Sequence, residues 1–137
     1  MGNNNDIKYL NAQEMIEFNL LALSLIKTKK ADKSEVLSYA KIMEVVTGCE
    51  ELEGDIYDKA TYLLKKIIKQ HAFASGNRRT AFMITKCFLD SNEKEFKITD
   101  APEYAKIMTG IRENYYTDEE IKNWIQHGKI REFKRHG

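Results

Sequence analysis

Proline is nearly absent from this sequence. Pro102 alone interrupts 137 residues, so long helices meet almost no built-in breaker. Cysteine is scarce as well. Cys49 and Cys87 are too few for a disulfide framework and are not spaced as a metal pair, so they read as ordinary thiols of a reducing compartment. Charge of one sign is missing: 22 Lys and Arg face 21 Asp and Glu, a net charge of +1. Bulk attraction to nucleic acid or to a membrane surface is therefore not expected. No apolar run approaches a membrane span. The opening Met1-Gly2-Asn3-Asn4-Asn5-Asp6 lacks the basic-then-apolar order of a signal peptide, and Asp6 stands where a myristoylation signal wants Ser or Thr. The expectation is a soluble, cytoplasmic protein with no membrane partner.

What is present is helical spacing. With 42% hydrophobic and 31% charged residues the chain can fill one modest core, and no linker, repeat or low-complexity tract divides it, so residues 1–137 are expected to form a single domain. A first helix opens at Asn11, with Glu14 completing a capping box, and carries Met15, Phe18, Leu20, Leu21, Leu23 and Leu25 on a wide apolar face. Lys27 to Lys30 read as a basic connection. A second helix is expected from Asp32 or Ser34, with Val36, Leu37, Ala40 and Met43 inward and a stop at Gly48. Cys49 to Asp58 reads as an exposed acidic loop or short hairpin. A third helix, from Tyr57 to Gln70, turns Ala60, Leu63, Leu64, Ile67 and Ile68 to one side, and His71 continues that stripe.

After the turn Ala74-Ser75-Gly76-Asn77, a helix from about Arg78 to Leu89 is apolar on almost every side, which marks it as central. Phe96-Lys97-Ile98 reads as a short extended piece. Asp100, Pro102 and Glu103 signal a fifth helix with Tyr104, Ile107 and Ile111 inward. Thr117 and Glu120 form a capping box for a last helix carrying Ile121, Trp124 and Ile125 and ending at Gly128. The fold class is all-α, a bundle of about six helices.

Chemistry concentrates between His71 and Phe82. A histidine closes one helix, a glycine turn follows, and a buried helix starts with two arginines. That start carries free amides and the positive end of the macrodipole, which disfavours arginines unless an anion is present. Gly76 permits close backbone approach, Asn77 can cap or donate, and Arg78 and Arg79 supply planar phosphate donors. Together they describe an anion cradle suited to nucleotide phosphates, with His71 as the proton acceptor at its rim. Each element has a plain structural alternative: a core histidine, an ordinary turn, solvated arginines. A helix-turn-helix DNA binder is a poor fit, because Phe82, Met83, Ile84, Phe88 and Leu89 leave the candidate recognition helix little polar surface.

His71, Phe73, Gly76, Asn77, Arg79, Thr80 and Ala81 match the signature His-x-Phe-x-(Asp/Glu/Asn)-(Gly/Ala)-Asn-(Gly/Lys)-Arg, with the Thr-Ala continuation, and the chain resembles the Fic/Doc family. Tyr9 to Glu14, Ala60 to Leu63, Cys87 to Asn92 and the Trp124 helix resemble its Doc (death-on-curing) branch. The resemblance implies a Fic/Doc-type helical bundle and a nucleotide-dependent transferase acting on a hydroxyl of a target protein. In the Doc-like mode the terminal phosphoryl of ATP moves; in the Fic-type mode AMP does. It implies His71 as general base, Asn77 and the amides after Gly76 as holders of the transferred group, Arg79 as neutraliser of phosphate charge, and Phe73 as loop anchor. It also implies Mg²⁺, a target in the translation machinery and a silencing antitoxin.

Two positions depart from the pattern. Ser75 replaces the acidic residue that holds the metal, a weak substitute around a hard dication, and this keeps a catalytically degenerate binding protein as an alternative. Arg78 stands where Doc has Lys, which favours the Doc-like mode. Thr109 to Asn114 matches the pattern of self-inhibited Fic proteins, in which Glu113 would pair with the motif's second arginine. The acidic stretch Glu50 to Asp58 falls where the family carries a target-docking flap. The C-terminal Lys129, Arg131, Lys134 and Arg135 read as a frayed, solvated tail.

Overall fold

The structure, a computed structural model, describes residues 6–25 and 36–134. Within these residues six helices follow one another: α1 (Ala12–Leu25), α2 (Tyr39–Glu51), α3 (Ile56–Gln70), α4 (Asn77–Ser91), α5 (Glu103–Arg112) and α6 (Asp118–His127). The all-α expectation holds, and the one β feature among the described residues is an isolated bridge between Val36 and Phe73. No helix among the described residues is long and apolar enough to cross a membrane.

The helix starts follow their side chains. Asn11 and Glu14 exchange side-chain and backbone hydrogen bonds at 2.8 and 2.9 Å ahead of α1. Asp55 with Asp58, and Thr117 with Glu120, form reciprocal capping boxes on α3 and α6. α3 buries Ala60, Leu63, Leu64, Ile67 and Ile68 against α4, whose Ala81, Ile84, Phe88 and Leu89 are fully enclosed. α1 and α3 flank α4, and α6 packs on α3 with Ile121, Trp124 and Ile125. α4 is thus the buried helix that its all-round apolar pattern indicated, while α3 is the one that meets most of the others, α2, α4, α5 and α6.

Several elements differ from the sequence reading. α1 turns Met15, Asn19 and Ala22 inward, while Leu20, Leu21 and Leu25 are exposed; the inward stripe is narrow because Asn19 forms buried hydrogen bonds there. α2 is capped by Ser38 and begins at Tyr39. It buries Ile42, Val45, Val46 and Cys49, so Leu37 and Met43 face solvent and Val36 precedes the helix. The expected starts at Asp32 and Ser34, like Lys27 to Lys30, lie outside the described residues. Gly48 does not end α2. Its missing side chain leaves room for the Tyr62 hydroxyl, which would lie 1.8 Å from an added Cβ.

The acidic stretch is no hairpin. Glu50 and Glu51 belong to α2, Asp55 caps α3 and Asp58 lies in its first turn. Lys59 explains the tight corner. It is buried, and its ammonium donates to the carbonyls of Cys49, Leu52 and Glu50 at 2.8, 2.6 and 3.4 Å, satisfying the end of α2. Phe96 to Ile98 forms no strand, and Lys97 N–H instead donates to Ile125 O at 2.9 Å. The tail is tied down as far as Phe133: Arg131 pairs with Glu120, its carbonyl accepts from Tyr116, and Phe133 packs edge-on against Tyr115. Arg135 lies outside the described residues.

Candidate active site

The loop from His71 to Gly76 is held from three directions. From the α2 side, Leu37 and Ser38 N–H donate to Ala72 O, beside the Val36–Phe73 bridge. From α4, the Asn77 side chain accepts from Phe73 N–H at 3.3 Å and donates to Phe73 O at 2.9 Å. From α1, Asn19 donates to Ser75 O at 2.9 Å and to the Thr80 hydroxyl at 3.1 Å. Phe73 is 2% exposed and anchors the loop in the core. Asn19 was not singled out in the sequence; the signal was an amide at the i+4 position after Met15, inside an apolar stripe.

Two residues of the loop have left-handed backbone. His71 ends α3 at φ 56° and ψ 46°, and Gly76 precedes α4 at φ 76°. The αL turn at His71 takes its side chain off the α3 stripe, so the ring is exposed and does not continue the row of Leu64 and Ile67 into the core. At Gly76 an added Cβ would meet Leu23 at 3.0 Å in a conformation that L residues avoid.

α4 begins without a side-chain cap bond. Its ladder starts with Thr80 N–H on Gly76 O, so the amides of Asn77, Arg78 and Arg79 lie ahead of the first turn's own acceptors. Around this start, Ser75, Gly76, Asn77, Arg78 and Arg79 line one cavity of about 420 Å³ with Leu25, Tyr104 and Ala105. The five residues assigned to phosphate binding are therefore brought together. His71 and Phe73 are not among the lining residues.

The two arginines diverge. Arg78 is exposed and donates to the Thr109 hydroxyl at 2.9 Å. Arg79 Nη1 donates to Asp100 Oδ1 at 2.8 Å and to Tyr104 OH at 3.0 Å, and Asp100 above all holds the guanidinium pKa further above its ordinary value. Asp100, read from sequence as a helix-start signal, is thus a partner of Arg79, and Pro102 takes the position before α5. In the stretch matching the self-inhibition pattern, the Thr109 hydroxyl accepts from Arg78. Acidic Asp55 and Asp58 face α6, where both pair with Lys122.

The family comparison agrees with this segment. The sequence profile of the Fic/DOC family matches residues 6–89, more than half of the chain, while no individual curated protein matches it. The match takes in all of α1, α2 and α3, the held loop and α4 to within two residues of its end, so this segment is family sequence and the chain belongs to the Fic/DOC family.

Proposed function

We propose that this chain is a Doc-like transferase that moves the terminal phosphoryl of ATP to a hydroxyl side chain of a target protein. The observation that carries the reading is the uncapped start of α4 in a cavity shared with Arg78 and Arg79. Arginines at the positive end of a helix are unfavourable on their own and become favourable once a polyanion lies between them and the free amides. In the proposed step His71 takes the proton of the target hydroxyl, the hydroxyl oxygen bonds to the γ-phosphorus, and the bond to the β-phosphate oxygen breaks to release ADP. The α4 amides and Arg79 stabilise the charge on the transferring group. His71 is exposed, at the end of the loop that leads to the cavity residues Ser75 and Gly76, and is open to a protein-borne hydroxyl.

The lining residues fit a resident Mg²⁺ poorly. Ser75 supplies a neutral hydroxyl, no carboxylate among the described residues lines the cavity, and Asp100 is bound to Arg79. Any Mg²⁺ then arrives as the counter-ion of ATP, and the protein's own charge comes from the arginines. Arg78, larger than the residues the family usually places there, crowds the cradle and favours the terminal phosphoryl over AMP. The exposed Leu25 on the cavity wall and exposed Leu37, whose N–H bonds Ala72 O, give protein partners, the target or an antitoxin, apolar surface next to the loop. On this reading the chain is a cytoplasmic toxin directed at the translation machinery.

The second reading, a catalytically degenerate binding protein, is favoured by Ser75 alone. Incubation with host lysate and ATP labelled separately at the α and γ phosphates separates the cases. Protein labelled from γ only is the expected result; label from α means AMP transfer, and no label from either supports the degenerate reading.

A further inference from the structure

Resting on the nucleotide reading above, we propose that Asp100 and Tyr104 are positioning residues that hold Arg79 ready for a phosphate. A guanidinium has five N–H donors in a fixed plane. Asp100 and Tyr104 both accept from Nη1, at 2.8 and 3.0 Å, and so take up both of its protons. Among the described residues the Nε and Nη2 protons have no acceptor, which leaves them for a bidentate ligand. The plane is supported as well as the edge: the Arg79 Cζ lies 5.4 Å from the Phe82 ring centre. Phe82 in turn stacks on Tyr104, centroids 5.0 Å apart at 18°, and Phe96 closes its edge at 5.1 Å. Tyr104 therefore meets Arg79 through its hydroxyl and supports it through Phe82.

The placement of charge distinguishes positioning from competition. Arg79 and Tyr104 line the cavity, whereas Asp100 does not. The carboxylate meets the guanidinium from outside the cavity lining, where it fixes orientation without occupying the phosphate position. A free arginine loses several rotors on binding; this one has lost them before the ligand arrives.

Calorimetric titration of ATP into the full chain tests this. Asp100→Ala combined with Tyr104→Phe is expected to weaken ATP about three- to tenfold, the cost of ordering one long side chain. Asp100→Asn, whose amide oxygen can accept the same bond, restores most of the affinity. In an Arg79→Ala background the Asp100→Ala change has no further effect, which a merely structural role would not produce. Unchanged or tighter binding in the double variant overturns the positioning role and leaves the nucleotide reading intact; so does an Asp100→Ala effect that persists without Arg79. If the wild-type chain binds no ATP, the nucleotide reading fails and the positioning role falls with it.

Discussion

α4 and α6 begin in opposite ways. α6 starts with a complete capping box and three acidic residues in its first turn, Asp118, Glu119 and Glu120. Its amides and its dipole are provided for by its own sequence. α4 starts at a left-handed glycine, has no side-chain cap bond and no acid in its first turn, and carries two arginines instead. The amide that could have capped it, on Asn77, is turned back to hold Phe73. One helix start is closed by its own residues, and the other has no such closure among the described residues. In a protein with nearly balanced charge, that local asymmetry is what singles out a site.

The largest effect expected from breaking this contrast lies at His71. His71→Gly removes the proton acceptor while suiting the αL backbone, so phosphoryl transfer should fall by about 10²–10⁴-fold with no loss of thermal stability. Retained transfer to a target in the labelled-ATP assay would remove His71 from the mechanism. Next is Asn77→Ala, which leaves the buried Phe73 peptide without its side-chain partners. It should lower unfolding free energy by about 1–3 kcal/mol in urea and weaken ATP binding together with stability. Thr117→Ala opens α6 in the way α4 is already open. It should cost about 1 kcal/mol and leave ATP affinity unchanged, since no residue of α6 lines the cavity that Arg78 and Arg79 share.

The smallest expected effect is acid sensitivity at the start of α3. Hydrogen bonding to Lys122 first, and to the Asp55 amide second, holds the Asp58 carboxyl below its ordinary 3.8. The folded state therefore binds this proton less readily than the unfolded chain. The stabilisation is fully present above that ordinary value and is lost as pH falls through the lower folded value. Asp58→Asn should make the melting temperature less steep between pH 5 and 2, compared by thermal scans. An equally steep curve in the variant would show that other carboxylates carry the acid response.

The sequence revealed most where the information is local. α3, α4 and α6 were legible because their caps, period and stop signals lie within a few residues of one another, and the His71 to Ala81 motif is contiguous. The misread parts depend on distant partners. The leucines of α1 outnumber its true inward residues, and only the meeting of Asn19 with Ser75 and Thr80, more than fifty residues away, explains why that face is buried. Asp100 looked like a helix start because nothing local connects it to Arg79, 21 residues earlier. The exposed ring of His71 follows from a single left-handed residue, which apolar spacing does not encode.

The corner between α2 and α3 has a use of its own. Lys59 has three ammonium protons and three carbonyl acceptors, and its side chain is sealed in the interior. Reagents that acylate primary amines will modify the rim lysines first and reach this one only when the corner opens. Its rate of modification is therefore an intrinsic clock for the breathing of the helical frame, independent of whatever occupies the cradle.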